Sequence, residues 1–459
     1  MIPHSVKDIR EVIDGKLVKG SEDWSVEDVV YRLEKLHTKK SMIFLRLKRK
    51  VDWDRIKSFS PCVVVTDEIF DELQSIPQCT VILVQQTSKA FWTFVEYYRD
   101  LIDIPVVAVT GTCGKTTTKE MITQILSNDR TVQATKGSAN SRLQDLPYLL
   151  GIDHNTKAAV IETAVGRPGD ITEHCRYFKP TIGVITNIGV YHLDGCGTFE
   201  NYLKAKAEML DCIDETGVLI LNGDDENIKK LKLENCKGRI VRFGIDPSCH
   251  YRASNIDFVE GGMAFTLTFE KKNYSVFVPG YGEHQVENAL ATIAAVSEIG
   301  MGIKEAIDYL RGYRPFGRYL ELSHGMSGAM ILDDTFLTNP MSIEAALKVL
   351  KSLAKGRTKI ALLGEINRLG DFDEEYHRQI GDMVVKYKVD TLITVGKKAD
   401  DIGKQAKKKG FKGPIYAFET LAGLYEMLVE MLDSQKILLV KGYGYDRPLV
   451  LLTKRLARG

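Results

Sequence analysis

The stretch Val106 to Leu126, VVAVTGTCGKTTTKEMITQIL, decides how the rest of the chain is read. Val106 to Val109 is a short apolar, β-branched run and predicts a buried parallel strand. Gly111-Thr112-Cys113-Gly114-Lys115-Thr116 is a glycine-bracketed turn, and Thr117 to Leu126 carries Met121, Ile122, Ile125 and Leu126 at helical spacing. Strand, glycine turn and helix N-terminus together form an anion cradle. Backbone N–H groups can approach phosphate oxygens there, and the helix dipole adds positive potential. Lys115 is suited to neutralise the β- and γ-phosphates of a nucleotide, and the Thr116 hydroxyl to ligate Mg²⁺. An ordinary strand–turn–helix has little use for Gly-Lys-Thr-Thr at a helix start. Val109 stands where the general phosphate-loop pattern has a glycine. This is the shorter G-x-x-G-K-T form, which points away from GTPases and transport ATPases.

Size and composition bound the rest. A chain of 459 residues is long enough for about three domains, each with its own core. Net charge is +1, from 62 basic and 61 acidic residues, so no nucleic-acid or membrane-surface field is expected. The eight cysteines form no C-x-x-C pair, which fits a reducing compartment. The polar start, MIPHSVKDIREVIDGKL, argues against a secretory leader, and no apolar run reaches membrane-span length. The expectation is a soluble, cytoplasmic, multidomain α/β protein.

Three domains are expected, at residues 1–98, 99–316 and 317–459. The first is a small α/β substrate-binding unit, with a helix over Val6 to Ile13 and strands over Met42 to Leu47, Cys62 to Thr66 and Cys79 to Val84. A linking helix over Phe91 to Leu101 ends at Ile104-Pro105. The second alternates strands and helices, with strands at Ala158 to Glu162, Ile182 to Thr186 and Gly217 to Asn222. An antiparallel group over Arg252 to Val278 and a helix over Asn288 to Ile299 follow. The third has a Rossmann-like rhythm with strands at Met330 to Asp333, Ile360 to Leu363, Leu392 to Val395, Ile415 to Phe418 and Ile437 to Val440. It has no G-x-G-x-x-G after its first strand, so a dinucleotide site is not expected. The run Lys407-Lys408-Lys409 reads as a solvated helix end.

Ligands of open α/β sheets sit at the carboxyl ends of strands. Glu162 ends a strand expected beside the loop strand, within reach of a nucleotide-bound Mg²⁺. Asn187 and His192 lie in ITNIGVYHLDGCG after another strand, Lys206 lies in YLKAKAE, which opens a helix, and Asp333-Asp334 ends the first strand of the last domain.

Read in order, VTGTCGKTTTKEM, TKGSANSRLQDLPYLL, VIETAVGRPGDI, ITNIGVYHLDGCGTFENYLKAKAEM, GEHQVENALA, GRYLE, LDDTFLTNPMSIEAAL, LLGEINRLGDFDEEYHRQIG and LVKG resemble the motifs of the ATP-dependent Mur ligases. The resemblance covers the central and last domains. It implies a three-domain fold, ATP and Mg²⁺ as cofactors, and an amide-forming reaction between a carboxylate and an amine. The substrates it implies are UDP-N-acetylmuramoyl-tripeptide and D-alanyl-D-alanine, with a monomer as the working form. Carried over by motif, Gly111, Thr112, Cys113, Gly114, Lys115, Thr116 and Thr117 hold the ATP phosphates. Thr116, Glu162, His192 and Lys206 face metal. Asn187 and Asn288 lie near the adenine, and Arg318 and Asp334 reach the nucleotide from the third domain. Lys115, Lys206, His192 and Arg318 are the implied catalytic set, with Lys206 carbamylated and Lys204 its nearby alternative. Asn140, His284 and Lys441 match further positions.

The implied chemistry moves the γ-phosphoryl of ATP to a substrate carboxylate, giving an acyl phosphate that an amine attacks, with phosphate leaving. Two anions must meet, which needs neutralisation by Mg²⁺, Lys115 and Arg318. A lysine with pKa near 10.4 is neutral only about once in a thousand at pH 7, so carbamylation requires a desolvated site.

The chain departs from the family pattern in places. Thr163-Ala164 replaces Met-Gly, Phe336-Leu337 replaces Tyr-Asn, and LVKGYGYDRP lacks the usual Gly-Ser-Arg. In the first domain, VVYRLEKLHTKKSMIFLRLK has no Ser/Asp-x-Arg triplet and no Pro-Gly turn; Arg46, Lys48, Arg49 and Lys50 are an alternative source of charge for a diphosphate. Two competing readings remain: a ligase of the same fold acting on a different carboxylate, and a silent nucleotide-binding relative. The full set of Lys115, Thr116, Glu162, His192 and Lys206 argues against the silent relative.

Overall fold

The computed structural model describes residues 1–45, 51–443 and 447–458. Arg46, Lys48, Arg49 and Lys50, offered above as diphosphate partners, lie outside the described residues. The chain is α/β throughout and falls into two compact units, residues 1–106 with 130–159 and 173–179, and residues 107–129 with 160–172 and 180–459.

In the first unit, five strands run in the order Lys16–Lys19, Cys79–Leu83, Cys62–Thr66, Ser41–Phe44, Asp28–Val30. The first pair is antiparallel and the rest are parallel. Fully buried Val63, Val64 and Val65 explain why this run forms a central strand, since β-branched residues fit a pleat covered on both faces. The linking helix is longer than expected, Thr87–Asp100. Buried Arg99 closes its C-terminal end by donating to the carbonyls of Phe178, at 2.7 Å, and Lys179, at 2.8 Å.

The second unit carries two sheets. The larger runs in the order Lys272–Pro279, Gly262–Phe269, Tyr251–Val259, Arg239–Gly244, Val218–Asn222, Ile182–Ile185, Val106–Thr110, Ala158–Glu162. Val106–Thr110 pairs in parallel register with Ile182–Ile185, and that strand with Val218–Asn222. Thr110, Glu162, Thr186 and Asn222 therefore share one edge, where the phosphate loop also emerges. The second sheet runs Glu321–His324, Met330–Asp334, Lys436–Lys441, Thr358–Gly364, Thr391–Val395, Ile415–Phe418, antiparallel only at its first pair.

Three sequence expectations need correction. The first strand of the last sheet is Glu321–His324, not Met330 onward; ELSH is a short, solvated edge with no apolar run to announce it. Arg239–Gly244 is a strand the pattern hid, because Arg239 and Arg242 stand three apart and spoil both the alternation and the apolar run that announce a strand. The helix expected from Asn288 starts at Glu283, since the polar GEHQ stretch belongs to its first turn.

The helices Asp373–Lys386 and Asp400–Lys408 pack closely through Gly381, where a Cβ would come within 2.6 Å of the Ile402 carbonyl oxygen. Alanine there improves helix propensity by about 1 kcal/mol but overpacks backbone that cannot retreat like a flexible side chain. Gly381→Val should destabilise the unit by roughly 1–3 kcal/mol, read as a lowered thermal midpoint beside Gly381→Ala and wild type.

Candidate active site

The loop leaves the strand at Thr110 and enters the helix Lys115–Leu126 through Gly114, whose φ of 80° is the left-handed conformation that glycine tolerates. A Cβ on Gly111 or Gly114 would overlap Thr186 or Asn288 respectively, so both glycines are needed for close approach as well as for the turn. The neighbouring strand end grips the loop from the side. Thr112 N donates to the Asn187 carbonyl at 2.9 Å. Cys113 N donates to Asn187 Oδ1 at 2.8 Å, and Asn187 Nδ2 donates back to the Cys113 carbonyl at 3.1 Å. Thr186 Oγ1 donates to that same carbonyl at 2.6 Å. Asn288 Oδ1 accepts from Thr118 Oγ1 at 3.2 Å. The two asparagines expected near an adenine thus also hold the loop in shape.

Lys115 folds over the loop, its Nζ donating to the Thr112 carbonyl at 3.1 Å. Thr116 Oγ1 donates to Glu162 Oε2 at 2.7 Å, so the expected hydroxyl and carboxylate already meet. The Tyr319 hydroxyl also engages Thr116, and burial raises its pKa well above the usual phenol value.

Lys206 is buried, with Nζ donating to Thr110 Oγ1 at 3.1 Å and standing 5.4 Å from the Tyr202 ring centroid. Burial first, then the charge on Lys115, lowers its pKa well below the ordinary lysine value. His192 sits in the left-handed conformation, φ 52°, ahead of the short helix Leu193–Cys196. Its Nδ1 is buried and, among the described residues, has no hydrogen-bond partner. Burial, with help from Lys115, Lys206 and Arg368, holds its pKa down at about 3, so the ring is neutral at physiological pH and has a lone pair to offer.

The second sheet brings its own groups to the loop. Asp334 at the end of Met330–Asp334 pairs with Lys441 Nζ at 2.6 Å, both buried. Asn339 caps the helix Pro340–Leu353 and donates from Nδ2 to Cys113 Sγ at 3.2 Å, tying the phosphate loop to that helix. The Arg318 guanidinium lies 5.2 Å from the centroid of Phe336, which stacks on Tyr319 at 4.6 Å.

A model of the Mur ligase middle domain matches residues 109–296, and a model of the Mur ligase glutamate ligase domain matches residues 317–444. The UDP-N-acetylmuramoyl-tripeptide–D-alanyl-D-alanine ligase of Bacillus subtilis is 29% identical over 447 residues, 96% of each chain. Among solved structures, crystal structure I of MurF from Acinetobacter baumannii superposes with a TM-score of 0.85 at 22% identity, covering 99% of each chain. MurF ligase from Thermotoga maritima in complex with ADP gives 0.78 at 21% identity, covering 94% of this chain and 98% of that one.

The chain belongs to the Mur ligase family. Mur ligases are ATP-dependent ligases that form amide bonds, and the three-domain α/β fold matches theirs.

In this Mur ligase the motif residues of the central and last domains converge on one edge, apart from Asn140, which lies in the first unit. Among the described residues no three His, Cys, Asp or Glu side chains converge as a ready-made metal cage. Mg²⁺ does not demand one, because it commonly takes one or two protein ligands and fills its octahedron with phosphate oxygens and water. The Thr116–Glu162 contact and the orphaned His192 Nδ1 fit that mode.

Sequence reading passed over several participants: Thr110 under Lys206, Tyr319 on Thr116, Asn339 on Cys113, and Glu287. For Glu287 a signal existed. His284, Glu287 and Asn288 stand at i, i+3 and i+4 of one helix, and all three line a cavity of 670 Å³ beside the phosphate loop. Burial lowers the His284 pKa to about 4. Burial, reinforced by Asp224, Asp225 and Glu283 and opposed by Lys348, raises that of Glu287 to about 7. Below that pH its carboxyl is neutral; above it, a negative charge appears in the cavity. Nucleotide affinity should therefore weaken as pH rises through about 7, and Glu287→Gln should flatten that part of the profile. Titration calorimetry with ATP across the range checks this.

Proposed function

We propose that this ligase joins the amine of D-alanyl-D-alanine to the terminal carboxylate of UDP-N-acetylmuramoyl-tripeptide, a step in building peptidoglycan precursors. The observation that carries the reading is the end-to-end likeness to the Bacillus subtilis enzyme of that name, 29% identical over 96% of each chain. Residues 1–98 would bind the carboxylate substrate, 99–316 the ATP and 317–459 complete the ligase site. The partners are small molecules, the working form a monomer, and the compartment the cytoplasm. Among the described residues no helix is long and apolar enough to cross a membrane.

The chain's own groups support an acyl-phosphate route. Asn187 takes the Thr112 and Cys113 amides, so Gly114 to Thr117, at the helix N-terminus, would supply the backbone donors for the phosphates. Lys115 neutralises charge on the γ-phosphoryl as it moves to the carboxylate, and Arg318 does so from the facing domain. Thr116, Glu162 and His192 would hold Mg²⁺, which would supply further charge neutralisation between triphosphate and carboxylate. Asp334, fixed by Lys441, would orient the nucleotide, and Asn187 and Asn288 would keep the loop shaped around it. Buried Tyr202, whose hydroxyl meets Thr112 Oγ1 at 3.1 Å, and the Tyr319–Phe336 stack pack rings beside the phosphate loop, which would help keep water from an acyl phosphate that it would otherwise hydrolyse.

Lys206 is proposed to be carbamylated. Its amine attacks CO₂, a C–N bond forms, and the ammonium-type proton leaves to solvent, giving an anionic carbamate. A lowered pKa supplies the neutral amine this needs, and Lys204, exposed and paired to Glu200 at 2.9 Å, does not share that environment.

The alternative carboxylate ligase keeps one specific support. The stretch where the family resemblance leads one to expect a Ser/Asp-x-Arg triplet instead gives Val29 and Val30 to a strand and stacks Tyr31 on Phe91 at 4.1 Å, a packing role.

Purified protein given UDP-N-acetylmuramoyl-tripeptide, D-alanyl-D-alanine, ATP and Mg²⁺ should release phosphate and form product of the summed mass less water. If nucleotide binds but no such product forms, the cell-wall substrate falls and another carboxylate takes its place. Lys115→Ala should remove substrate-dependent ADP formation while leaving the thermal midpoint near wild type. Lys206→Ala should lose most activity and regain part of it with added small carboxylate. Labelled bicarbonate should give a carbon-13 carbamate resonance in wild type that this variant lacks; a wild-type spectrum without it sinks the assignment.

A further inference from the structure

The loop that carries His192 is clasped by residues 366–371 of the C-terminal sheet's domain. Leu193 N donates to the Arg368 carbonyl at 2.9 Å, and Arg368 Nη1 stands 3.4 Å from Asp194 Oδ2. Arg368 has φ of 69° and His192 φ of 52°, a left-handed conformation that L side chains hold only when their surroundings impose it. Those surroundings are present. Ile366 and Leu369 are fully buried in the C-terminal core and pin the backbone on both sides of Arg368. Val190, three residues before Leu193, packs against that same core. Gly370 lies against Asp194, where a Cβ would stand 3.5 Å from the Asp194 amide nitrogen. The Tyr443 hydroxyl engages the Arg368 guanidinium from the strand end at Lys441.

An exposed ion pair alone contributes little. Here it is joined to a backbone hydrogen bond and to left-handed backbone at Arg368 and at His192, next to Leu193, so the groups act as a unit. One end of that unit belongs to the C-terminal domain, and the other is the residue next to His192.

We propose that Arg368 is a positioning residue: by clasping Leu193 and Asp194 it makes the orientation of the His192 loop depend on docking of the C-terminal domain onto the phosphate-loop domain. This rests on the reading of His192 as a group facing the nucleotide's metal, and it assigns Arg368 no contact with substrate. Docking and site assembly thereby become one event, and the phosphate loop, held separately by Thr186 and Asn187, still binds nucleotide when the clasp is open.

The test compares wild type, Arg368→Glu, Arg368→Gly, and the exchanged pair Asp194→Lys with Arg368→Glu. Glycine adopts the left-handed turn and keeps the carbonyl, so Arg368→Gly isolates the guanidinium. Arg368→Glu should lower kcat about tenfold, within the coupling range of contacting residues. Equilibrium binding of a fluorescent ATP analogue with Mg²⁺ should stay within about twofold of wild type, as expected for loss of an interaction used after binding. Arg368→Gly should fall between the two, and the exchanged pair should recover most of the lost kcat. Small-angle scattering with a non-hydrolysable ATP analogue reads docking without turnover. Compaction seen in wild type, lost in Arg368→Glu and regained in the exchanged pair supports the clasp whichever carboxylate the enzyme uses. Wild-type kcat in Arg368→Glu, or a loss that the exchanged pair does not repair, overturns it. Absence of turnover by wild type on the muramoyl substrate bears on the substrate reading alone.

Discussion

A loop that offers its backbone N–H groups to an anion must be held by everything else it has, and that constraint orders the rest of the site. Here the holding is done by side chains from adjacent strand ends. Thr186 and Asn187 both saturate the Cys113 carbonyl, while Asn187 also takes the Cys113 N–H. Each contact is worth only about 0.5–1.5 kcal/mol net, but together they leave the loop one conformation. Parallel register is what brings those residues there: Thr110 lies opposite Ile185, so Thr186 and Asn187 start level with the loop. Replacing the strand order would therefore dismantle the loop even if every loop residue stayed.

How much of this was legible in the sequence follows from where the information is stored. The loop, its strand and its helix carry local signatures, and Glu162 was readable because it stands at the carboxyl end of an apolar strand, where open α/β sheets bind ligands. Lys206 and His192 were legible only through motif resemblance, since a lysine in a helix and a histidine in a loop ordinarily mean solvent. Tertiary burial makes them different, and no local pattern encodes it. Arg368 and Asn339 were hidden for a related reason: their partners are 174 and 226 residues distant in sequence. The edge strand Glu321–His324 escaped because a solvated edge does not need the apolar alternation by which strands are recognised.

The last sheet contributes by position more than by a pocket of its own near the loop. Asp334 ends the strand next to the one that ends in Lys441, and parallel pairing places the two side by side. Burial raises the Asp334 pKa, and the Lys441 contact at 2.6 Å opposes that rise. The pair fixes the Asp334 carboxyl in place, which suits the nucleotide-orienting role proposed for it.

Charge balance gives the proposed lysine carbamate a further rationale. Lys115 and Lys206 repel one another across the site, and Lys115 is the second cause of the lowered Lys206 pKa after burial. Two cations there would favour the triphosphate but resist Mg²⁺, and His192, neutral and lone-paired, could not offset that alone. Converting the Lys206 amine to a carbamate replaces a group that a proton would make cationic with one that is anionic. The repulsion becomes an attraction toward Lys115, and the buried side chain gains oxygens for a hard cation that prefers them. Burial that would be a liability for an ordinary lysine is thus the condition under which a weak reagent, CO₂, can change the sign of the site.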